Sequence, residues 1–408
     1  MRVEQRPPTT SLIRRAGRYV YDWLEERYPL TAMINRLLFD PVPKKWGWLY
    51  GWGGALVILF AMQIITGILL VASYVPSWNE AYNSIKFIDN TIAGGYWIRG
   101  LHFWNAYMIL FIMGVHIART FFSGAYKKPR ELTWVVGVFI MICMILVAYT
   151  GAGLRMDETG YWTIIIGEHI AGWTPVIGPL VQRAWLGSDR IGPSYLTRTF
   201  AVHIWILPAL LIILISIHVA FVIIQGQYGS WLNYTRGDAP DRALDALHMP
   251  EGDERESYLK ALQEVNNPNS RKRDLPDDTD YFVPEHAFRE SMIALICLIV
   301  EIVLTAIAFN HLDAPADPGT TTFVPVPEWF MLPADQMLPY LPGTMVPLIP
   351  VAFTWFVAML IGLPFFDRGP ERNMFKRPVA LSTGIVVVLS IFLLTMLGGW
   401  RIMSFGVH

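Results

Sequence analysis

Seven apolar runs, each long enough to cross a bilayer, constrain this 408-residue chain more than any other feature. They lie at roughly Leu49–Tyr74, Ile98–Phe122, Leu132–Leu154, Thr199–Ile224, Ala287–Phe309, Met345–Phe366 and Val379–Trp400. A helix needs about 20 apolar residues to span the hydrocarbon layer. Within lipid every backbone N–H and C=O must be satisfied internally, which leaves only helices and closed barrels. Barrel strands would alternate apolar and polar residues, and these runs do not. An all-α integral membrane protein is therefore expected. Composition agrees, with 53% of residues hydrophobic and 16% charged.

Lys and Arg placement sets the orientation. Nine precede Leu49, Lys127, Lys128 and Arg130 separate the second and third runs, and seven lie between Arg236 and Arg273. Arg368, Arg372, Lys376 and Arg377 separate the last two runs. The opposite loops are sparser, although one carries Arg155, Arg183, Arg190 and Arg198. The N-terminus is thus expected inside (the n-side) and the C-terminus outside (the p-side). Met1 to Arg27 mixes basic and acidic residues without an apolar core, and reads as a surface helix rather than a targeting peptide. A polar stretch with an acidic, Pro/Asp-rich end around Asp274–Asp280 divides the first four runs from the last three. The expected organisation is a four-helix domain over 1–225, a cytoplasmic linker over 226–285 and a three-helix domain over 286–408. Two long p-side connections, Met156–Arg198 and His311–Gly343, are placed to cover something.

Inside two of the runs stand matched histidine pairs. His102 and His116 are fourteen residues apart in the second run, and His203 and His218 fifteen apart in the fourth. At about 1.5 Å per residue the members of a pair are separated by about 21–23 Å along the axis and share roughly one face. Both helices run from p-side to n-side, so His102 faces His203 and His116 faces His218. Four histidines at two depths suit two stacked haems clamped between helices, whereas a single membrane histidine would read as a packed core residue. Glycines repeat the spacing: Gly53 and Gly67 in the first run, Gly137 and Gly151 in the third. Without a Cβ, a backbone can approach a flat macrocycle closely. Ordinary small-residue helix packing is the competing explanation. Topology places Gly53 and Gly137 at the n-side level, and Gly67 and Gly151 at the p-side level. Arg99 is placed to meet a haem propionate on the p-side, and Arg119 and Arg130 on the n-side; interfacial snorkelling is the alternative for the latter two.

These residues, with several short motifs, resemble cytochrome b of the bc and b6f complexes, most closely the chloroplast type. The motifs include Trp97-Ile98-Arg99 before His102, the segment Lys127 to Trp134, Pro175-Val176-Ile177-Gly178, Ala316-Asp317-Pro318, Pro327-Glu328-Trp329 and Arg377-Pro378-Val379-Ala380. The resemblance covers nearly the whole chain, as a four-helix cytochrome fused to a three-helix subunit IV. It implies a quinol:cytochrome c (or plastocyanin-type) oxidoreductase subunit with two non-covalent b haems. Quinol would be oxidised on the p-side, one electron going to a Rieske iron–sulfur protein and the other inward to reduce quinone. Glu328 would accept the quinol proton, in a pocket formed by Pro327, Trp329, Phe330, Val176, Ile177 and Gly178. A homodimeric complex core in the bacterial cytoplasmic membrane is likewise implied.

The sequence departs from that family at several places. Gly51 stands where the chloroplast type attaches an extra haem through a cysteine, so no covalent haem is expected. Phe103 follows His102 in place of an arginine, and Leu154-Arg155-Met156 replaces a Leu-Pro-Trp turn. Ile223 and Arg36 replace n-side residues, so quinone contacts there do not carry over. Glu301 lies mid-helix, where an ionised acid costs at least about 2–3 kcal/mol, and is expected to be protonated or hydrogen-bonded. The only cysteines, Cys143 and Cys297, fall in apolar runs and supply neither an iron–sulfur cluster nor a c-type haem motif. Both carriers, a Rieske protein and a c-type cytochrome or other acceptor, must be partner subunits; lipid surrounds the helices, and no nucleic-acid partner is expected. A di-haem membrane anchor of a formate dehydrogenase, hydrogenase or nitrate reductase is the alternative, though such anchors are not expected to carry the Pro-Glu-Trp loop. A transporter would need a polar pathway instead of histidines in register. Denaturing electrophoresis should strip all haem from this chain; a band that still stains for haem would contradict the reading of Gly51.

Overall fold

The computed structural model describes residues 12–27, 41–43, 47–174, 176–187, 192–225, 279–308, 312–320, 323–324 and 326–404. Arg36, Pro175, Arg190, His311, Pro325 and the part of the linker over 226–278 lie outside the described residues. The chain forms two compact units. One gathers described residues of Met1–Gly47 and Asp241–Phe288. It holds the helix Leu12–Arg27, as expected for the basic N-terminal segment, and an antiparallel two-stranded ribbon of Pro41–Pro43 and Thr279–Tyr281. The other unit spans Trp48–Pro240 and Arg289–His408 and contains both candidate sites.

Among the described residues, seven helices are long and apolar enough to cross a membrane: Trp52–Val71, Gly95–Phe122, Glu131–Gly153, Pro193–Ile223, Phe282–Ile307, Gly343–Phe366 and Pro378–Arg401. The chain is an integral, multi-pass, all-α membrane protein. Large apolar side chains on the helix surfaces face outward, among them Ile68, Trp205 and Val379 at 65%, 71% and 77% exposure. In water such a surface would be a liability, whereas against lipid tails it is the expected finish. The first helix packs chiefly on the second and the third on the fourth, while the sixth lies on the third. Ala55, Leu59, Ile109, Ile112, Met144 and Leu211 from the first four helices meet Ile293 and Cys297 of the fifth in a shared core.

The fourth helix is not uniform. Its α-helical ends, Pro193–Ala201 and Leu207–Gln225, are joined by a π turn over Val202–Ile206. The Leu207 N–H bonds to the Val202 carbonyl, five residues back. Pro208 explains the need: it has no N–H for the Ile204 carbonyl, and its ring crowds that turn. A π turn takes one extra residue into the helix and is common at functional sites. Here it contains His203, and it absorbs the residue by which the His203–His218 spacing exceeds the fourteen of the second helix.

A buried polar hub ties the helices together at the His116 end. Lys127 Nζ donates to Asp367 Oδ1 at 2.7 Å and to the Gly369 and Glu371 carbonyls at 3.0 and 2.8 Å. Tyr126 donates to Asp367 Oδ2 at 2.5 Å. Arg377 donates to the Tyr126 hydroxyl at 3.0 Å and to the Phe122 carbonyl at 2.9 Å. Trp134 Nε1 adds a 2.6 Å bond from the third helix to the Leu360 carbonyl of the sixth. Removing one member strips several buried bonds at once, while the rest keep their backbone contacts. Arg377→Leu should therefore destabilise the detergent-solubilised protein by about 2–3 kcal/mol in thermal unfolding. Lys376→Leu, at a side chain 63% exposed, should leave the melting curve in place.

Candidate functional site

The second and fourth helices bring His102 and His203 ring to ring, with centroids 6.4 Å apart and planes crossing at 71°. His116 and His218 are electrostatic neighbours at the other level. Each of the four glycines faces one imidazole. A Cβ added at Gly67 would lie 3.2 Å from His102 Cε1, and one at Gly151 would lie 2.8 Å from His203 Cε1. At Gly53 and Gly137 the corresponding distances to His116 and His218 are 3.2 and 3.3 Å. The levels agree with the topological pairing. The close approach, however, is of backbone to imidazole: the first helix seats the histidines of the second, and the third seats those of the fourth.

Two threonines fix the His102 and His203 rings. Thr66 Oγ1 lies 2.9 Å from His102 Nδ1, and 2.9 and 3.1 Å from the Met62 and Gln63 carbonyls. Thr150 Oγ1 lies 3.0 Å from His203 Nδ1, and 2.9 Å from both the Leu146 and Val147 carbonyls. A carbonyl can only accept, so the single hydroxyl proton goes to the helix backbone. Nδ1 must then donate to the hydroxyl oxygen, leaving the Nε2 lone pair of a neutral imidazole free. Metal-bound histidines are oriented in this way. The dipeptide Thr-Gly occurs at 66–67 and again at 150–151. Thr-Gly at the glycine spacing within two apolar runs is the sequence signal for the threonines.

These residues fit a haem iron. Two metal–imidazole bonds of about 2.0–2.1 Å, plus about 1.1 Å from each nitrogen to its ring centre, sum to about 6.3 Å. That matches the 6.4 Å between His102 and His203. Among the described residues no cluster of three or more His, Cys, Asp or Glu is placed to hold a bare ion. Two facing histidines could instead hold an iron whose remaining ligands come from a macrocycle. Of the arginines expected at propionates, Arg99 is buried and paired with Asp89 at 2.6 Å. Arg119 lies over the Tyr50 ring, 3.8 Å from its centroid, and Arg130 is buried. A Cβ at Gly51 would meet Ile293 Cδ1 at 2.9 Å, so position 51 is tightly packed.

Glu328 sits in the loop between the fifth and sixth helices, with Pro327 buried beside it. Burial pushes the Glu328 carboxyl up to about 7. Its Oε1 accepts from Arg155 Nη2 at 3.0 Å, and its Oε2 accepts from the Tyr107 hydroxyl. Trp329 and Phe330 stand edge-on to Tyr107, with centroids 6.2 and 6.5 Å away. Sequence reasoning left the partner of Arg155 open and missed Tyr107, which belongs to no motif. Among the described residues, no hydrogen bond, ion pair or ring contact links Val176, Ile177 or Gly178 to Glu328. Val176 is 98% exposed with φ of +69°, an uncommon conformation for a β-branched residue. Glu301 is fully buried, and among the described residues neither carboxyl oxygen has a partner.

The family profile described as Cytochrome b/b6/petB matches residues 38–226, and that described as Cytochrome b(C-terminal)/b6/petD matches residues 315–405. The chain is 34% identical over 210 residues to a cytochrome b6 of Acaryochloris marina, covering 52% of this chain and 98% of that protein. It is 36% identical over 218 residues to the menaquinol:cytochrome c reductase cytochrome b subunit of Bacillus subtilis, covering 52% of this chain and 97% of that one. A solved structure described as a hyperthermophilic respiratory Complex III shares the fold. Its TM-score is 0.74 at 24% identity, covering 93% of this chain and 91% of its own. The seating of His203 can be checked directly. Gly151→Val should displace that ring and lower the haem content of the purified protein, read by pyridine haemochrome absorbance.

Proposed function

The chain belongs to the cytochrome b/b6 family, and from that premise we propose that it is the haem b subunit of a quinol:cytochrome c or plastocyanin-type oxidoreductase. His102 and His203 would hold a p-side haem b through their imidazoles, and His116 and His218 an n-side haem b. The observation that carries this reading is the facing of His102 and His203 at 6.4 Å, each with Nδ1 bound by a threonine and Nε2 left for a metal. Neither haem is covalently attached. Gly53, Gly67, Gly137 and Gly151 seat the ligands, and Arg99, Arg119 and Arg130 supply cationic character near the haem edges.

Quinol binds on the p-side, beneath the loop carrying Pro327, Trp329 and Phe330, with Val176, Ile177 and Gly178 at the mouth of the pocket. Glu328 accepts a proton from the quinol hydroxyl. A carboxyl poised near neutrality suits that exchange, since it both takes and releases a proton at working pH. One electron from each quinol goes to a Rieske iron–sulfur protein, and the other is left for the two haems, which when bound supply one-electron transfer across the membrane. Protons released outside and taken up inside make the cycle electrogenic. The Rieske protein and a c-type cytochrome or other acceptor are separate subunits, and the complex core is a homodimer. The chain sits in a bacterial cytoplasmic membrane with its N-terminus inside and its C-terminus outside.

Glu328→Gln in the intact complex tests the chemistry. Quinol:acceptor turnover should fall by about a hundredfold or more while both haems remain bound. In the parent complex, turnover should rise with pH through about 7, because Glu328 is protonated below that value and a base above it. Full turnover in the variant would remove Glu328 from the mechanism.

A further inference from the structure

The Glu328 carboxylate is held at both oxygens, and the two donors come from different helices. Arg155 follows the third helix, in the turn Leu154-Arg155-Met156. Tyr107 lies within the second helix, five residues after His102. The turn itself is pinned. Met156 is buried with φ of +51°, and its carbonyl accepts from Ala316 N at 3.1 Å. Glu158 N donates to the Ala314 carbonyl at 3.0 Å. Asp157 caps the following helix by accepting from Gly160 N at 2.8 Å, and its carboxylate lies 3.6 Å from Arg155 Nε. Arg155 Nε also donates to the Ala152 carbonyl at 3.3 Å. The near side of the guanidinium is therefore fixed by the turn, and its Nη2 is the end presented to Glu328.

We propose that Arg155 is a positioning residue for Glu328, holding the carboxylate against the Tyr107 hydroxyl while it is charged and loosening its hold once it is protonated. The inference rests on Glu328 being the proton acceptor for quinol. A carboxylate accepts at both oxygens, so it satisfies Arg155 and Tyr107 together. Protonation at Oε2 reverses the Tyr107 bond, since the phenol oxygen must then accept, and removes the charge that made the Arg155 contact strong. The neutral acid is consequently held less strongly, because neither bond is any longer to a carboxylate. Among the described residues, the charged and titratable groups facing Glu328 are Arg155 and Tyr107, with Asp157 behind Arg155. The surrounding rings of Trp329 and Phe330 supply no competing charge.

Of the residues involved, Arg155 stands in a turn where the sequence departs from the family's pattern. Position 103, an arginine in the related type, is a phenylalanine here, and the Arg155 guanidinium lies 5.9 Å from the centroid of that ring. The turn after the third helix thus carries a cation that reaches the loop acid.

The test uses the purified complex with Arg155→Leu, Arg155→Lys, Tyr107→Phe and Glu328→Gln. The readouts are the pH profile of quinol oxidation and the midpoint potential of the p-side haem. Arg155→Leu should move the rising limb of the profile alkaline by about one to three pH units, because a neighbouring guanidinium lowers a carboxyl pKa by about that much. Arg155→Lys should recover part of the shift, and Tyr107→Phe should move the limb in the same direction by less. Should Arg155→Leu fail to assemble, the Lys and Phe variants carry the comparison. An unmoved limb in the Arg155 and Tyr107 variants, with Glu328→Gln slow, would overturn the holding role while leaving Glu328 as acceptor. A shifted haem potential with an unmoved limb would overturn it too, assigning Arg155 to a haem propionate. Full turnover in Glu328→Gln would instead remove the reading on which the inference stands.

Discussion

Four imidazoles in this bundle are seated against helix backbone, and much of the packing follows from that requirement. A side chain at Gly53, Gly67, Gly137 or Gly151 would crowd a histidine ring, so the first and third helices must present bare backbone at two depths. The spacing of those depths is then shared by all four helices. It ties the first helix to the second and the third to the fourth, which are the two closest helix pairs in the unit. At the His102 level the threonine preceding each glycine completes the seat by binding Nδ1. One short dipeptide thus supplies both the space for a ring and the bond that orients it.

The two buried charge clusters show how similar chemistry serves opposite ends. Around Asp367, Lys127, Tyr126 and Arg377 converge, and the cations also bind several backbone carbonyls. Changing the charge of any one member leaves many bonds in place, so the hub is a fastening between the second helix and the last two. Around Glu328 there are two donors, each on one oxygen, within a shell of aromatic rings. A single proton alters both contacts. Redundancy makes the first cluster static, and its absence makes the second responsive.

Much of the fold was legible because membrane helices advertise themselves by length and composition. The seven runs became seven helices, with end points shifted by a few residues, most at the fourth, which begins at Pro193 because its first turns are amphipathic. The facing of His102 and His203 followed from counting passes. The ribbon of Pro41–Pro43 with Thr279–Tyr281 was not legible, since three-residue strands containing proline carry no alternation. Thr66 and Thr150 were hidden because a threonine inside an apolar helix looks like filler. The Glu328 contacts were hidden for another reason. Its partners are 221 and 173 residues away, and no local pattern encodes so distant a contact.

The π turn at Val202–Ile206 bears on how ligand spacings in such bundles should be counted. The second helix separates its histidines by fourteen residues and the fourth by fifteen, yet both present their rings to the same two levels. What is held constant is therefore rise and angular phase, and the residue count is free to vary by one wherever a widened turn takes up the difference. Pro208 favours that widening, since an ordinary turn would leave the Ile204 carbonyl facing a ring. An insertion and a proline, each disruptive alone, compensate one another here, and a one-residue difference in spacing between two such chains need not mean a different site.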